Sequence, residues 1–579
     1  MKSTISKALL FGQVLLLVFF CGASWSASPV PDAASPGAVE KSLQPKPIPK
    51  PAELPEIKIE EEGAPRLGDG GVKFQLKDII FEENLIFSPE QLREVVASYI
   101  GQNIEVGRLS EIADKITAFY KRAGYFLTRA YIPPQTIKDG KVLIKVREGR
   151  LGDIIIKGNQ RYSRELIRNT LKIIRGEGAI RTDDVERALM LLMDYPGLTV
   201  KATFKPGSLP ATSDIVLEVQ EDKFYKFTVD FDNFGSRYVS QNRVGMQFDF
   251  FNLIGKGDLF TARGVLGTKG PDDLLYGRAE LVLPLGYTGT RLGLYFTANQ
   301  YELGEELEYM KAGGDSKTGG IYLSHPFIRS RNVNWFVQGG FDVSNSAQTL
   351  LDQEVGRDRV RKAYLGTTLQ WVDVLDGYNT INLKLSQSFA KIFGGLDQGD
   401  PNTIRTGTDI IFTKLEGDLF RIQRLPANFS LLISATGQYT AYRLPSSEQF
   451  HLGGMGTVRG YAQSERSGDS GVAATAELRI PLLGLEDLRW FGKGKRVGDT
   501  VQLAAFYDYG KIWISNAQQY GEQALDGLDM QGAGAGIRFT YSPYVRFKVD
   551  WAKSIGGVNP IRQADKDDGV WYFQMAISF

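Results

Sequence analysis

From Lys223 to the last residue, apolar and polar side chains alternate with a period of two, the repeat of a β-strand whose two faces meet different surroundings. Tyr225, Phe227, Val229 and Phe231 alternate with Lys226, Thr228, Asp230 and Asp232; Val244, Met246, Phe248 and Phe250 alternate with Gly245, Gln247 and Asp249. Similar ladders run over Leu292 to Ala298, Trp335 to Val343, Ile381 to Leu385, Phe429 to Tyr439, Val472 to Ile480, Val501 to Tyr509, Val545 to Trp551 and Trp571 to Phe579. Clusters of Gly, Asp, Asn and Pro separate them, as turns require.

Upstream the period changes. Phe74 to Leu76 and Ile79 to Phe81 read as strand, and Ser88-Pro89-Glu90-Gln91 opens a helix with an N-cap, a proline at its first position and a glutamine placed to complete a capping box. A second helix from about Leu109 stops at Gly124, after which Leu127 to Ile132 and Val142 to Val146 return to strand. The order recurs from Leu151: a strand through Ile154 to Ile156, a helix after Ser163, another at Thr182-Asp183-Asp184, and strands near Val200 to Phe204 and Ile215 to Val219. This is an internal repeat of about 75 residues, two α+β modules in tandem. The expected boundaries are 72–150 and 151–222 for the modules and 223–579 for the strand-rich part.

Residues 27–71 hold nine prolines, and no aromatic residue stands between Ser26 and Lys73. Such a stretch buries too little apolar surface to fold alone, so an extended linker is expected, with no helix ahead of Val72. At the start, Lys2 and Lys7 precede an apolar run from Ala8 to Phe20 and the small residues around Ser24 and Ser26, the pattern of a secretory signal peptide over 1–26. The bulk of Phe20 beside Cys21 speaks against a lipid-modified cysteine.

Composition sharpens this picture. Gly is frequent, at 64 of 579 residues, and aromatics make up 11%, which favours strands and tight turns. The net charge of +1 gives no footprint for nucleic acid. Cys21 is the only cysteine, so the mature chain has no disulfide to lean on and needs a large core or a closed sheet. After the leader, the sequence offers no run of the roughly 18 apolar residues that a membrane helix needs, which leaves the closed barrel as the way to cross a bilayer.

Between a soluble sandwich and a membrane barrel, the polar face decides. Arg546, Lys548 and Asp550 alternate with Val545, Phe547, Val549 and Trp551, as expected for a wet lumen behind a lipid face. The chain also ends on an apolar ladder, Trp571, Phe573, Met575, Ile577 and Phe579; an open edge of that kind is a liability, and a barrel removes it by pairing last strand with first. The fold class expected is an all-β transmembrane barrel of about 16 antiparallel strands behind two α+β modules. A barrel of that size has a lumen wide enough for water or an extended polypeptide.

These residues resemble a known family, the two-partner secretion transporters, TpsB-type members of the Omp85 superfamily. Pro133, Pro134 and Gln135, followed by Gly140 and Gly149, look like the pattern of the family's first POTRA module. Leu452-Gly453-Gly454 followed by Val458, Arg459, Gly460 and Tyr461 is similar to its signature on a long loop folded back into the lumen. Phe506, Asp508 and Gly510 match a second signature on the inner wall, and strand alternation independently turns these three inward. The resemblance implies that Arg459 is the cation facing Asp508, and that the loop from about Tyr442 to Gly471 lies inside the pore. It implies a translocase in the outer membrane of a Gram-negative bacterium, with the modules in the periplasm and Phe579 as the C-terminal barrel signal. Implied partners are a large secreted exoprotein of the adhesin or haemolysin class, the surrounding outer-membrane lipid, and barrel assembly machinery during biogenesis. Family members carry a pore-plugging helix ahead of the modules; the proline-rich stretch here departs from that pattern.

Other function classes fare worse. His325, read at a turn before Pro326, and His451 are the only histidines, and no Gly-x-Ser-x-Gly, HExxH or phosphate-loop pattern occurs, so no catalytic residue, metal or cofactor is assigned. A barrel assembly factor of the same superfamily is the alternative; such factors typically carry more modules. A passive porin has no use for two periplasmic modules.

Overall fold

The computed structural model describes residues 30–44, 55–60, 72–174, 178–209, 211–485, 487–490, 494–541 and 544–579. The leader, its cleavage point, Cys21 and most of the proline run lie outside these residues.

Short segments build the first module. Strand β2 (Lys73–Gln75) pairs with β4 (Asn103–Glu105), and β3 (Asp78–Glu82), β6 (Lys141–Arg147) and β5 (Arg129–Tyr131) form a sheet in the order β3-β6-β5. Helices at Pro89–Val96 and Leu109–Arg122 cover its inner face, where Leu92, Ile112, Ile116, Val142 and Ile144 are buried. The expected capping box is present: Ser88 Oγ accepts from Gln91 N, and Gln91 Oε1 accepts from Ser88 N. The second module repeats the plan with β7 (Arg150–Lys157), helices at Arg164–Thr170 and Thr182–Met193, β8 (Leu198–Pro206) and β9 (Thr212–Glu221). Its sheet gains a strand from the proline-rich stretch: β1 (Glu56–Ile59) runs parallel along the edge of β8, giving the order β1-β8-β9-β7.

The repeat extends to side chains. Asn84 and Asn159 each donate to the carbonyl three residues on, at Phe87 and Tyr162, just before the helix caps Ser88 and Ser163. Glu148 at the end of β6 accepts from Leu85 N, Ile86 N and Tyr120 OH, each at 2.9 Å. Glu221 at the end of β9 accepts from the backbone of Gln160, Arg161 and Tyr162 at 2.8, 3.0 and 3.1 Å. Burial alone would raise the Glu221 carboxyl; the three N–H donors outweigh it and hold it below its ordinary range. Burial and the hydrogen bond to Glu148 push the Tyr120 phenol up.

Sixteen antiparallel strands close the barrel. They are β10 (Tyr225–Asp232), β11 (Arg243–Phe251), β12 (Leu259–Gly267), β13 (Gly270–Pro284), β14 (Arg291–Glu302), β15 (Gly313–Arg329), β16 (Val333–Leu350) and β17 (Gln353–Val372). The ring continues with β18 (Tyr378–Ser388), β19 (Thr413–Arg424) and β20 (Ser430–Tyr439). A hairpin, β21 (Phe450–Leu452) and β22 (Arg466–Gly468), interrupts it before β23 (Ser470–Pro481), β24 (Val501–Trp513), β25 (Asp529–Tyr541), β26 (Val545–Gly557) and β27 (Val570–Ser578). Closure joins β27 to β10, Thr228 opposite Ser578 through Asp232 opposite Gln574, and Phe579 N donates to Phe227 O at 2.8 Å. His325, expected at a turn, stands inside β15 opposite Val337, with Nδ1 2.8 Å from Thr290 Oγ1.

The second module sets the orientation. Asp194 accepts from Arg329 at 2.6 and 2.9 Å, Arg187 donates to the carbonyls of Pro326 and Phe327, and Asn252 donates to Arg161 O. The turns after β11 and β15 therefore lie on the module side of the barrel, and the opposite rim faces away from the modules.

Candidate functional site in the barrel lumen

Alternation along β24 leaves Leu503 and Tyr507 exposed and turns Phe506 and Asp508 into the lumen, where Asp508 is 0% exposed. The neighbouring β25 presents Gly532, Gly534 and Gly536 to the same face, a bare strip against which other chain can lie. The loop between β20 and β23 occupies it.

Arg459 arrives at the loop tip and lies 3.2 Å from the centroid of the Phe506 ring. Its guanidinium grips Asp508 with two prongs, Nε to Oδ2 at 2.7 Å and Nη2 to Oδ1 at 2.9 Å, and its backbone N–H adds a third bond at 3.0 Å. Nη1 also reaches Glu477 and Asp550, both at 3.1 Å. These two carboxylates are shared with Arg538, and Glu477 also accepts from Arg479 at 2.8 Å. Lys548 lies 3.6 Å from Asp550. The pair read from the sequence is thus the centre of a larger network. Glu477, Arg479 and Arg538 had no motif to announce them; the inward alternation of Lys548 and Asp550 on β26 was the available signal.

The other motif residues lock the tip sterically. Val458 and Leu452 pack where a side chain on Gly510 would be, since a Cβ there would stand 2.3 Å from Leu452 Cδ1. Gly460, with φ of +94°, donates from its backbone to Tyr572 OH, which donates in turn to Tyr461 O at 2.6 Å. Tyr461 OH donates to the carbonyls of Gly556 and Val558 at 2.9 Å.

The stretch before the modules corrects the expectation of a featureless linker. A helix, α1 (Pro36–Leu43), stands inside the barrel, capped by Ser35 Oγ on Ala38 N. Glu40 accepts from Ser316 and Thr318 of β15 at 2.7 and 3.0 Å, Tyr301 OH donates to Ala34 O at 2.7 Å, and Arg243 donates to Ser42. The helix also touches the loop: Lys41 donates to Gln449 O, Asp32 accepts from Ser467 N, and Gly37 lies against the backbone of Ser446 and Ser447. At eight residues it is shorter than the roughly 12 to 15 that an isolated helix needs, so packing against wall and loop holds it. The sequence cue existed: Ser35-Pro36 repeats the cap-and-proline signature of Ser88-Pro89, hidden among the prolines around it.

The module residues serve local architecture. The Gln135 side chain bonds both N and O of Leu143 at 2.7 Å, standing in for strand pairing beside β6. Pro133 and Pro134 lead into it, Gly140 adopts φ of +70° against Gln75 O, and Gly149 lies on Leu127. His451 sits in β21, Nδ1 at 2.7 Å from Ser467 Oγ.

A family model for the haemolysin secretion/activation proteins ShlB/FhaC/HecB matches residues 211–539, and one for the ShlB-type POTRA domain matches residues 74–149. The chain belongs to the ShlB/FhaC/HecB family. Among relatives of this transporter, the heme/hemopexin transporter protein HuxB of Haemophilus influenzae is 25% identical over 512 residues, 86% of each chain. In fold it is similar to the solved CdiB of Escherichia coli, with a TM-score of 0.67 at 20% identity over 90% of this chain and 93% of that one. The solved BamA of Haemophilus ducreyi, lacking its POTRA domains 1–3, gives 0.54 at 15% identity over 88% and 100%. This ShlB/FhaC/HecB member is an outer-membrane transporter of the two-partner secretion type, with its POTRA modules in the periplasm.

Proposed function

We propose that the network around Arg459 holds the lumen loop in a resting position, with α1 seated against it, and that secretion of one large exported protein requires both to yield. The observation that carries this reading is the pair of elements filling the lumen, each tied to the wall by buried polar contacts. A passive pore gains nothing from either. The relative HuxB is named a heme/hemopexin transporter protein; for this chain we infer an exoprotein of the haemophore, haemolysin or adhesin class.

Capture begins at a module edge. An extended guest pairs through main-chain bonds, which give affinity without demanding one sequence. The edge of β8 is taken by β1, so a guest using it must displace this strand. Profiling the medium and the outer membrane of a strain lacking the protein tests the proposal. Loss of one large secreted protein with intact outer-membrane barrels is expected; a general loss of barrels would instead support an assembly factor.

A further inference from the structure

The external loop between β18 and β19 has two parts. Its first part turns outward, over the lipid side of the wall. Phe341 faces lipid in register with Ile321 and Ala363, and the ring of Phe393 stands on it edge-on, with centroids 5.8 Å apart. Arg361, outward-facing on β17, ties the hook down by donating to Phe393 O at 3.0 Å and to Asn345 Oδ1 at 2.9 Å. The tip is apolar and uncovered: Phe393 is 76% exposed, and Phe389 and Ile392 are exposed beside it.

This hook sits where the apolar band ends. Outward residues of β17 run Trp371, Leu369, Thr367, Leu365 and Ala363, about 20 Å of membrane height at roughly 3.4 Å per residue and a tilt of about 40°. Above them come Arg361 and Arg359, with Lys317 on the same rung as Arg359 through Asn345. Among the described residues no carboxylate pairs with Lys317 or Arg359, and Arg361 is held by carbonyls and an amide alone. The neighbouring charges are balanced, Lys391 by Asp397 at 2.8 Å and Arg357 by Glu354 at 3.7 Å, while Asp315 lies one rung farther out than Lys317. Positive charge is left uncompensated beside an exposed aromatic hook, at the height of the outer-leaflet headgroups.

We propose that this face binds a phosphate-bearing lipid of the outer leaflet, with phosphate on Lys317 and Arg359, and acyl chains along Phe393, Phe341 and Leu365. A phosphate is the complement of guanidinium forks on a partly dehydrated surface, and the apolar strip directly below supplies the seat for chains. The same loop continues to Arg405, which binds Asp469 at 2.6 Å and Glu522 at 3.1 Å at the external mouth, so the lipid would anchor a loop that also closes over the barrel.

The full chain is placed in phosphatidylcholine nanodiscs carrying a small fraction of bisphosphorylated lipid A, and retained lipid is counted by native mass spectrometry. Retention is expected to fall at least tenfold for Lys317→Ala with Arg359→Ala, and to fall for Phe393→Ser, with unchanged heat-modifiable migration of the barrel. Should the double variant fail to fold, Phe393→Ser and the comparison of lipids on the parent protein decide. Phosphatase-treated lipid A should not be retained. Equal retention by the double variant, equal retention of the dephosphorylated lipid, or displacement by millimolar inorganic phosphate would each overturn the assignment.

Discussion

Replacing Arg459 by alanine strips Asp508 of its cation and leaves it a single backbone N–H. That carboxylate is 0% exposed, and its three bonds all come from Arg459, two from the guanidinium and one from the backbone. Removing one member of a buried ion pair costs about 3–5 kcal/mol, because the other is left charged and dry. The alternative open to the loop is to leave the wall and let water reach Asp508. At about 1.4 kcal/mol per tenfold, the ratio of docked to undocked loop then falls by roughly two to four orders of magnitude. Asp508→Asn is milder, since Arg459 keeps Glu477 and Asp550. Arg459→Lys lacks the fork that holds both oxygens of Asp508 and should behave closer to alanine.

Loop position can be read directly through Ser464→Cys, a buried position on the loop, because the only natural cysteine is Cys21, in the stretch expected to be removed. A membrane-impermeant maleimide should label this cysteine slowly in the parent and much faster with Arg459→Ala, alongside lowered secretion and normal barrel levels. A charge swap, the natural test of an isolated pair, should fail here: Asp at position 459 would face Glu477 and Asp550. Slow labelling with wild-type secretion in Arg459→Ala, or full recovery by the swap, would refute the reasoning.

Three further outcomes are expected. A Cβ at Gly37 would lie 2.4 Å from Ser447 Cα and 2.5 Å from Ser446 O, so Gly37→Val should unseat α1 and raise the conductance of the protein in planar bilayers; unchanged conductance would place the plug elsewhere. Ile57 packs on the second module's core, so Ile57→Asp should release β1 from β8 and increase cross-linking of an unfolded exoprotein segment to β8, whereas unaltered cross-linking would point to another edge. Glu221 has a depressed pKa, so its contribution is complete above the ordinary value of about 4.3 and is lost as pH falls through the lower folded value. Proteolysis in the loop 158–162 should therefore accelerate on strong acidification, and Glu221→Gln should remove much of that dependence; an identical pH profile in the variant would count against the carboxylate.

Period-two alternation and the duplicated helix caps made the barrel and the paired modules legible, because each rests on local rules. Legibility failed where tertiary contact overrides them. Strand β17 carries Arg357, Arg359 and Arg361 on its outer face beyond the apolar band, and β25 carries glycines on its inner face, so neither reads as a ladder. His325-Pro326 looks like a turn, yet the register of β15 shifts just beyond it, between Pro326 and Ile328, and that irregularity absorbs the proline within a strand. Beyond Asp508 on β24, the partners of Arg459 come from β23 and β26, which no spacing in one strand announces. Helix α1 has a capped start but lacks the length to stand alone, so its existence is a statement about the lumen that receives it.

The lumen also shows how position and permission are divided between residue types. Arg459 specifies where the loop tip rests, because a two-pronged grip tolerates little displacement. It reaches Asp508 only because the wall is cut away beneath it: a Cβ on Gly532 would stand 1.8 Å from Arg459 O, and one on Gly510 would displace Leu452. Glycine there costs the strand conformational entropy and leaves no side chain to pack, a loss that only the docked loop offsets. The resting wall is therefore complete only with the loop in place. A loop that leaves exposes bare strand and several buried charges together, so its departure should be steeply cooperative rather than a gradual loosening, which is the behaviour a translocation pore needs if it is to stay shut until its guest arrives.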